Sequence, residues 1–459
     1  MSNPMIIESG LEKLKNKFIG KKEEPETSIG SINTFLVGTS RGVDICAEAC
    51  ACCWDKQIPD DYAGRAEYIG KRTRTGHTSI LEHSNFVIYM KMPEGYLFDL
   101  TNFLTWSVYL HTKIEKLSDG TYGVLIGSTY RGFREIFYHV DDIGNAVYKA
   151  FIGTLYVHAP SAAFEDFFDI FLNKDNFIDA EPDPAYVLTT MYEDPDADTD
   201  YFKIVGMDSI STLMHNMMVI DPEFAKKLDT HDLINFVSVT VMFKNMSRTC
   251  THQVVRHRDA VTQESQRYVD YSEAKFSNPA IFKPGKYDID HKYTVRFGTS
   301  GPLQMTLDEI GEAMTNIYGM LSNSTITGGK YALLKEDARG YLPGNIQCRK
   351  LYMTFTYKML FAFLKLREAN GAQAEIRLYA RMLGNWFRDH SEFKTKDITD
   401  TYTMPKMCIT DPMKIDVDMG FNEETVDMSA DMTEAQYLEY MNKCMVTDTA
   451  SKEPTDVES

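Results

Sequence analysis

Apolar and polar positions change period several times along the chain, and the changes predict its elements. Residues 43–54 predict an Ala/Cys-rich helix and 62–72 a more charged one. Residues 85–91, Asn-Phe-Val-Ile-Tyr-Met-Lys, are rich in strand formers, and 237–244, Val-Ser-Val-Thr-Val-Met-Phe-Lys, alternate with period two; both predict strands. Residues 92–236 mix aromatic helices, such as 163–172, with an acidic loop at 193–200. Residues 304–322 predict an amphipathic helix, and a second helical unit is expected after Leu342-Pro343. Two helices are expected within that unit, at 355–369 and 372–388, parted by Asn370-Gly371, a helix-ending pair. Residues 1–30 are Lys/Glu-rich, and from about 395 the chain turns acidic and Met-rich, with disorder expected after 446.

Composition narrows the class. A chain of 459 residues with 43% hydrophobic and 12% aromatic residues buries a sizeable core, as three domains or as one core with a large insertion. A formal charge of -18 argues against a nucleic-acid coat or an anionic membrane as the main partner. There is no apolar run of ~20 residues and no signal-like segment in Met1–Gly20, so a cytoplasmic protein is expected. The eight cysteines read as free thiols. Cys46, Cys50 and Cys53 share one helical face, but no second Cys/His pair stands at zinc-finger spacing, so they read as buried small residues and no metal is expected. The loop at 193–200 lacks the glycine and the twelfth-position glutamate of a calcium loop.

Against the acidic background, residues 247–268 form a basic island. Arg248, Arg256, Arg258 and Arg267 fall there with His252 and His257, against only Asp259 and Glu264. Ser247 is a good helix N-cap, and a helix from it puts Arg248, His252 and Arg256 roughly on one face. Cations at a helix C-terminus are one reading of the island. A bound anion is the other, favoured by the continuation to Arg267 and by the neutral hydrogen-bonders Gln263, Ser265 and Gln266; arginine suits phosphate because its planar fork donates paired hydrogen bonds and keeps its charge.

Five stretches, taken in order, resemble the flavin-dependent thymidylate synthases. They are Gly76-His77-Thr78-Ser79-Ile80-Leu81-Glu82-His83; Ser247-Arg248 through Gln253-Val254-Val255-Arg256-His257-Arg258; Ser265-Gln266-Arg267-Tyr268; Ala338-Arg339-Gly340-Tyr341-Leu342-Pro343; and Leu364-Lys365-Leu366-Arg367 with Ala372-Gln373-Ala374-Glu375-Ile376-Arg377. The resemblance implies an α+β fold with helices against an antiparallel sheet. It implies a homotetramer with sites at subunit interfaces, binding FAD, dUMP, methylenetetrahydrofolate and NADPH. Arg256, His257 and Arg258 would line the FAD site with His77, Ser79 and Gln263. Gln253, Arg256, Glu264, Ser265, Gln266, Arg267 and Arg339 would hold dUMP. Arg367 would sit against the pyrimidine and favour loss of its N3 proton, making it the chief catalytic candidate beside Ser265 and Arg267. Cys250 would be helix core, since the chemistry needs no cysteine.

The chain departs from the family at three places. The interval from Arg258 to Ser265 is one residue short, leaving open whether Gln263 or Glu264 faces the ligands. The family's Asn-x-Arg and later Asn align with Thr356, Lys358 and Ala362, of which Thr356 and Lys358 are kept as flavin candidates. Residues 92–236 separate motifs that the family joins closely. This divides the chain into an extension at 1–30, a catalytic domain at 31–91 and 237–395, an insertion at 92–236 and an acidic extension at 396–459. Within the insertion, Gly127 to Arg134 reads as a turn opening a helix whose two arginines either supply flavin contacts or are solvated. A dUMP hydroxymethylase and a non-catalytic nucleotide- or RNA-binding relative are the competing functions.

Overall fold

The computed structural model describes residues 32–40, 42–137, 146–158, 197–257, 259–283, 285–299, 301–323 and 331–390. The expectations for 1–30, for the helix at 163–172, for the first part of the loop at 193–200, for the tail beyond 390 and for Arg258 fall outside these residues.

The fold is α+β, built on two four-stranded antiparallel sheets. In the first, β1 (Asn33–Thr39), β2 (Phe86–Met92), β4 (Tyr122–Ser128) and β3 (His111–Lys116) lie in that spatial order. In the second the order is β5 (Phe202–Met207), β6 (Ser238–Ser247), β10 (Gln347–Thr356) and β7 (Ala260–Gln263). A small hairpin, β8 (Tyr293–Val295) with β9 (Leu303–Met305), stands apart. Residues 92–236, expected as an insertion, therefore supply β3 and β4 to one sheet and β5 to the other.

Period-two alternation explains how each sheet buries two faces. Val87, Tyr89 and Leu125 point into one large core with Val241, Phe243, Leu351 and Met353 of the second sheet. Their neighbours Phe86, Ile88, Val124 and Ile126 point the other way, onto α1 (Gly42–Trp54). That helix lies between the sheets. Cys46 and Cys50 face the first, while Ile45, Ala49 and Cys52 meet Val205, Met242 and Tyr352 of the second. Burial on both sides explains its Ala/Cys composition, and burial pushes the Cys50 thiol up to about 12 and Cys53 to about 11, so both stay neutral.

The remaining helices among the described residues are α2 (Tyr62–Arg74), α3 (Leu97–Leu104), α4 (Tyr130–Phe137), α5 (Ala146–His158), α6 (Ile210–Ile220), α7 (Arg248–Val254), α8 (Leu307–Ser322), α9 (Tyr357–Arg367) and α10 (Ala374–His390), with a few single turns. Two expectations are corrected. Leu342-Pro343 leads into the ten-residue strand β10 rather than a helical unit, because Leu351, Met353 and Phe355 alternate into the core; the helix begins only at Tyr357. The helix expected from 304 starts at Leu307, after β9, where Thr306 and Glu309 form a capping box. No described helix is long and apolar enough to cross a membrane.

Candidate active site

The basic island sits where β6 ends. Ser247 leaves the strand in an extended conformation and caps α7, its Oγ accepting from the Cys250 amide at 3.0 Å. The cap is itself held: the Ser247 amide donates to Glu375 Oε1 at 2.7 Å and its hydroxyl to Oε2 at 2.5 Å. Burial raises the Glu375 pKa, and the Ser247 and Ser277 hydrogen bonds oppose that. Cys250, Thr251 and Val254 are buried and pull α7 inward. The helix stops at Val254 and a single 3-10 turn carries Val255–His257, so the expected eight-residue spacing from Arg248 to Arg256 is not kept on one helical face. Arg248 turns to the neighbouring strand instead, donating to Gln263 Oε1 at 2.5 Å and to the Glu264 carbonyl at 2.9 Å.

Arg367, the last residue of α9, is the meeting point of the later motifs. Its Nε donates to His257 Nε2 at 2.9 Å and its Nη2 to the Gln253 carbonyl at 3.3 Å. The His257 ring stands edge-on to Phe363 with centroids 4.9 Å apart. Burial and the Arg367 cation push His257 down to about 4, so near neutral pH the imidazole is uncharged and its Nε2 accepts the arginine's proton. Burial also lowers the Arg367 pKa, with Arg256 acting in the same direction. The Gln253 side chain donates to Gln373 at the start of the next helical segment. Arg256 is exposed.

A second group gathers around Glu336. Arg267 Nε donates to Glu336 Oε2 at 2.9 Å, and Arg339 Nε donates to the Glu336 carbonyl at 3.0 Å. Ser265 Oγ accepts from the Arg267 amide at 3.2 Å, and Gln266 beside it is half-buried. No hydrogen bond among the described residues joins this group to Arg367. Between the two groups, Glu264 is only 3% exposed and turned inward. It accepts from Tyr271 Oη at 2.9 Å and from Arg349 Nε at 2.7 Å, so protein partners occupy it, while Arg248 occupies Gln263.

The His-x-Ser motif forms a 3-10 turn, Thr78–His83, with His77 and Ser79 exposed and His77 edge-on to Trp54 at 5.0 Å. His83 is fully buried and bridges two strands of the second sheet, Nδ1 to Thr354 Oγ1 and Nε2 to Thr262 Oγ1, both at 2.9 Å. Burial pushes it down to about 3, leaving a neutral structural imidazole. Glu82 pairs with Arg131 of α4 and accepts from Tyr109 Oη at 3.2 Å. Facing it, Asp259 is pushed up to about 7 by burial and by the Glu82 charge, and its buried Oδ2 has no hydrogen-bond partner among the described residues. Sequence reasoning quoted Glu82 as a motif letter and Asp259 as a stray acid; their approach across the sheets has no local signal.

Thr356 and Lys358 lie at the opposite end of α9 from Arg367, about 14 Å away at helical rise. Thr356 caps the helix, Oγ1 accepting from the Met359 amide at 3.3 Å, and Lys358 is exposed on the side of His111. The donors that remain toward solvent, Arg256, His77 and Ser79, with the orphaned Asp259 oxygen, fit a ligand that carries both phosphates and hydroxyls. No cluster of His, Cys, Asp or Glu among the described residues is arranged to hold a metal.

Comparison with known proteins follows the same residues. Residues 212–390 match the family model described as thymidylate synthase complementing protein. A flavin-dependent thymidylate synthase from Nitratidesulfovibrio vulgaris is 30% identical over 151 residues, which is 33% of this chain and 56% of that one. Another from Pyrococcus abyssi is 29% identical over 146 residues, 32% of this chain and 52% of that one. The chain thus spans little more than half the length of the curated relatives it matches. A crystal structure of thymidylate synthase X from Helicobacter pylori with FAD and dUMP covers 40% of this chain and 91% of its own at 12% identity, with a TM-score of 0.28, too slight a likeness to bear on the fold. The segment that matches this family model, residues 212–390, contains the basic island, Arg339 and Arg367.

Proposed function

We propose that the protein is a flavin-dependent thymidylate synthase, converting dUMP to dTMP with methylenetetrahydrofolate as carbon donor and NADPH as reductant through FAD. One observation carries the reading: Arg367 is seated on His257 and Gln253, from motifs more than a hundred residues apart, inside the segment that matches the family. A bound flavin supplies hydride chemistry; the protein's part is position and charge. Arg256, His257 and Arg258, with His77 and Ser79, hold the flavin. Gln253, Ser265, Gln266, Arg267 and Arg339 hold the nucleotide, the arginines chiefly through phosphate.

Arg367 acts on the pyrimidine. Neutral His257 takes one of its protons in a hydrogen bond without competing for its charge, so the cation remains available. A unit charge ~4 Å from N3 at an effective dielectric of ~20 contributes about 4 kcal/mol, which lowers the N3 pKa by about three units and enriches C5 in electron density. The separation of the Arg367 group from the Ser265–Arg267 group within one chain supports the expectation that a second copy completes the site.

The test is direct. The purified protein carries a flavin absorption band, and incubation with dUMP, methylenetetrahydrofolate and NADPH yields a nucleotide heavier by one methylene. A product heavier by hydroxymethyl assigns the hydroxymethylase instead, and unchanged dUMP with no bound flavin sinks the reading. Arg367→Lys, which keeps the charge but loses the fork, lowers kcat/KM on the order of a hundredfold.

A further inference from the structure

Two stretches of the chain repeat one backbone plan. The sheet orders β1-β2-β4-β3 and β5-β6-β10-β7 correspond strand for strand. The edge strand of each sheet carries a bulge at the same place, between Leu36 and Gly38 in β1 and between Ile204 and Gly206 in β5. From those glycines the registers run in parallel: Gly38 opposes Val87, Gly127 and His111 in turn, as Gly206 opposes Thr240, Thr354 and Ala260. Each edge strand leads into a helix four residues past its glycine, α1 at Gly42 and α6 at Ile210.

The hydrogen bonds repeat as well. Ser40 N donates to the Asn85 carbonyl and Asp208 N to the Ser238 carbonyl, both at 2.8 Å. In return Asn85 N donates to Ser40 Oγ and Ser238 N to Asp208 Oδ2, both at 2.9 Å. β4 and β10 each run into a helix capped by threonine and opened by tyrosine, Thr129-Tyr130 and Thr356-Tyr357. The two locks touch each other, Asn85 Nδ2 donating to Asp208 Oδ2 at 3.0 Å. Strand order alone recurs in unrelated folds; bulge, register, caps and paired locks together mark a repeat.

We infer that the chain is a fused pair of equivalent units, about 33–158 and 202–390, and that only one of its two inter-unit clefts is retained as a cofactor site. The assignment of that cofactor as flavin rests on the function proposed above. The retained cleft lies where the Thr78–His83 turn of the first unit packs on β7 of the second, His83 Nε2 meeting Thr262 Oγ1 at 2.9 Å, and it sets Glu82 and Arg131 against Asp259. At the corresponding positions of the other cleft stand Asn235 for Glu82, Lys358 for Arg131 and Leu110 for Asp259, so neither of those two carboxylates is kept. Asp232 stands there in place of Ser79 and is tied to Lys113 at 3.1 Å. A carboxylate at that place repels a phosphate that Ser79 would receive. Arg131 is a positioning residue: it holds Glu82 at the mouth of the retained cleft, with Tyr109 on the same carboxylate. On this reading residues 92–236 are the end of one unit and the start of the next.

The full-length protein, saturated with FAD and freed of excess, then carries one flavin per chain by absorbance. Two per chain overturns the inference and leaves the function standing; none at all overturns the function and this assignment with it. Arg131→Ala weakens FAD binding about tenfold and shifts the flavin absorption band, and Arg131→Lys restores most of both. Asn235→Ala, at the matched place in the other cleft, leaves FAD affinity within about twofold. Equal losses from Arg131→Ala and Asn235→Ala, or a loss at Arg131 that lysine does not restore, overturn it.

Discussion

Asp259 is the residue whose protonation most directly reports the cleft between the two sheets. Its folded pKa is raised to about 7 by burial first and by Glu82 second. The unfolded carboxyl ionises near its ordinary value while the folded one keeps its proton, so its contribution to stability is lost as pH rises through that window toward 7. Asn mimics the protonated acid. Asp259→Asn therefore leaves the melting temperature unchanged at pH 4 and raises it by a few degrees at pH 8, a difference that thermal melts across pH detect. A gain of the same size at both pH values would show that the carboxylate is not held protonated. The buried histidines work in the opposite sense: His83 and His257 have lowered pKa values, so their contribution is present above the ordinary imidazole range and fades as pH falls toward 4 and below. At this scale much was legible. The arginines, His257 and the Ser247 cap stand out by residue type, whereas the inward turn of Glu264 onto Arg349, 85 residues on, depends on strand pairing that no local pattern encodes.

Among the elements, the junction of β6 with α7 decides whether the basic island is presented at all. Ser247 ends the strand, caps the helix and donates to a buried glutamate from α10 through both its amide and its hydroxyl, so one residue couples three elements. Ser247→Ala removes the cap and leaves a buried carboxylate short of a partner, at a cost of about 2–3 kcal/mol in urea unfolding, against the ~1 kcal/mol of an ordinary cap. A loss no greater than the ordinary cap would mean that Glu375 finds a substitute. The strand at 85–91 could be read from its strand-forming residues and the one at 237–244 from its period-two alternation, and both are buried along most of their length. β10 could not, since its Leu351-Tyr352-Met353 run passes without a break into the equally apolar α9, and only pairing with β6 and β7 tells strand from helix. β3 and β7 are short edge strands of mixed polarity and give little signal by themselves.

At the scale of the whole molecule, the separation of the His-x-Ser motif from the basic island takes a different meaning once the two sheets are compared. The resemblance implies four chains around shared sites. A chain that already holds two units supplies the same number of units from two copies, so light scattering is expected to give a particle of about twice the 52.4 kDa chain. Four chains in the particle would count against the fused pair as the assembling block. The repeat itself was hidden in the sequence because the halves share few identities at matched places, such as the Val-Gly of the two bulges and the Thr-Tyr of the two helix starts. Backbone geometry preserved what side chains lost.

The contact of Asn85 with Asp208 carries one more consequence. In an assembly of identical subunits every substitution is copied onto both sides of a two-fold axis, so an asparagine–aspartate contact made there occurs twice. Here it occurs once, because Ser238 and Ser40 stand at the places matched to Asn85 and Asp208, a one-sided change that covalent linkage permits. The seam is thus free to diverge as a heterodimer's does, while both sides are inherited and synthesised together in fixed proportion.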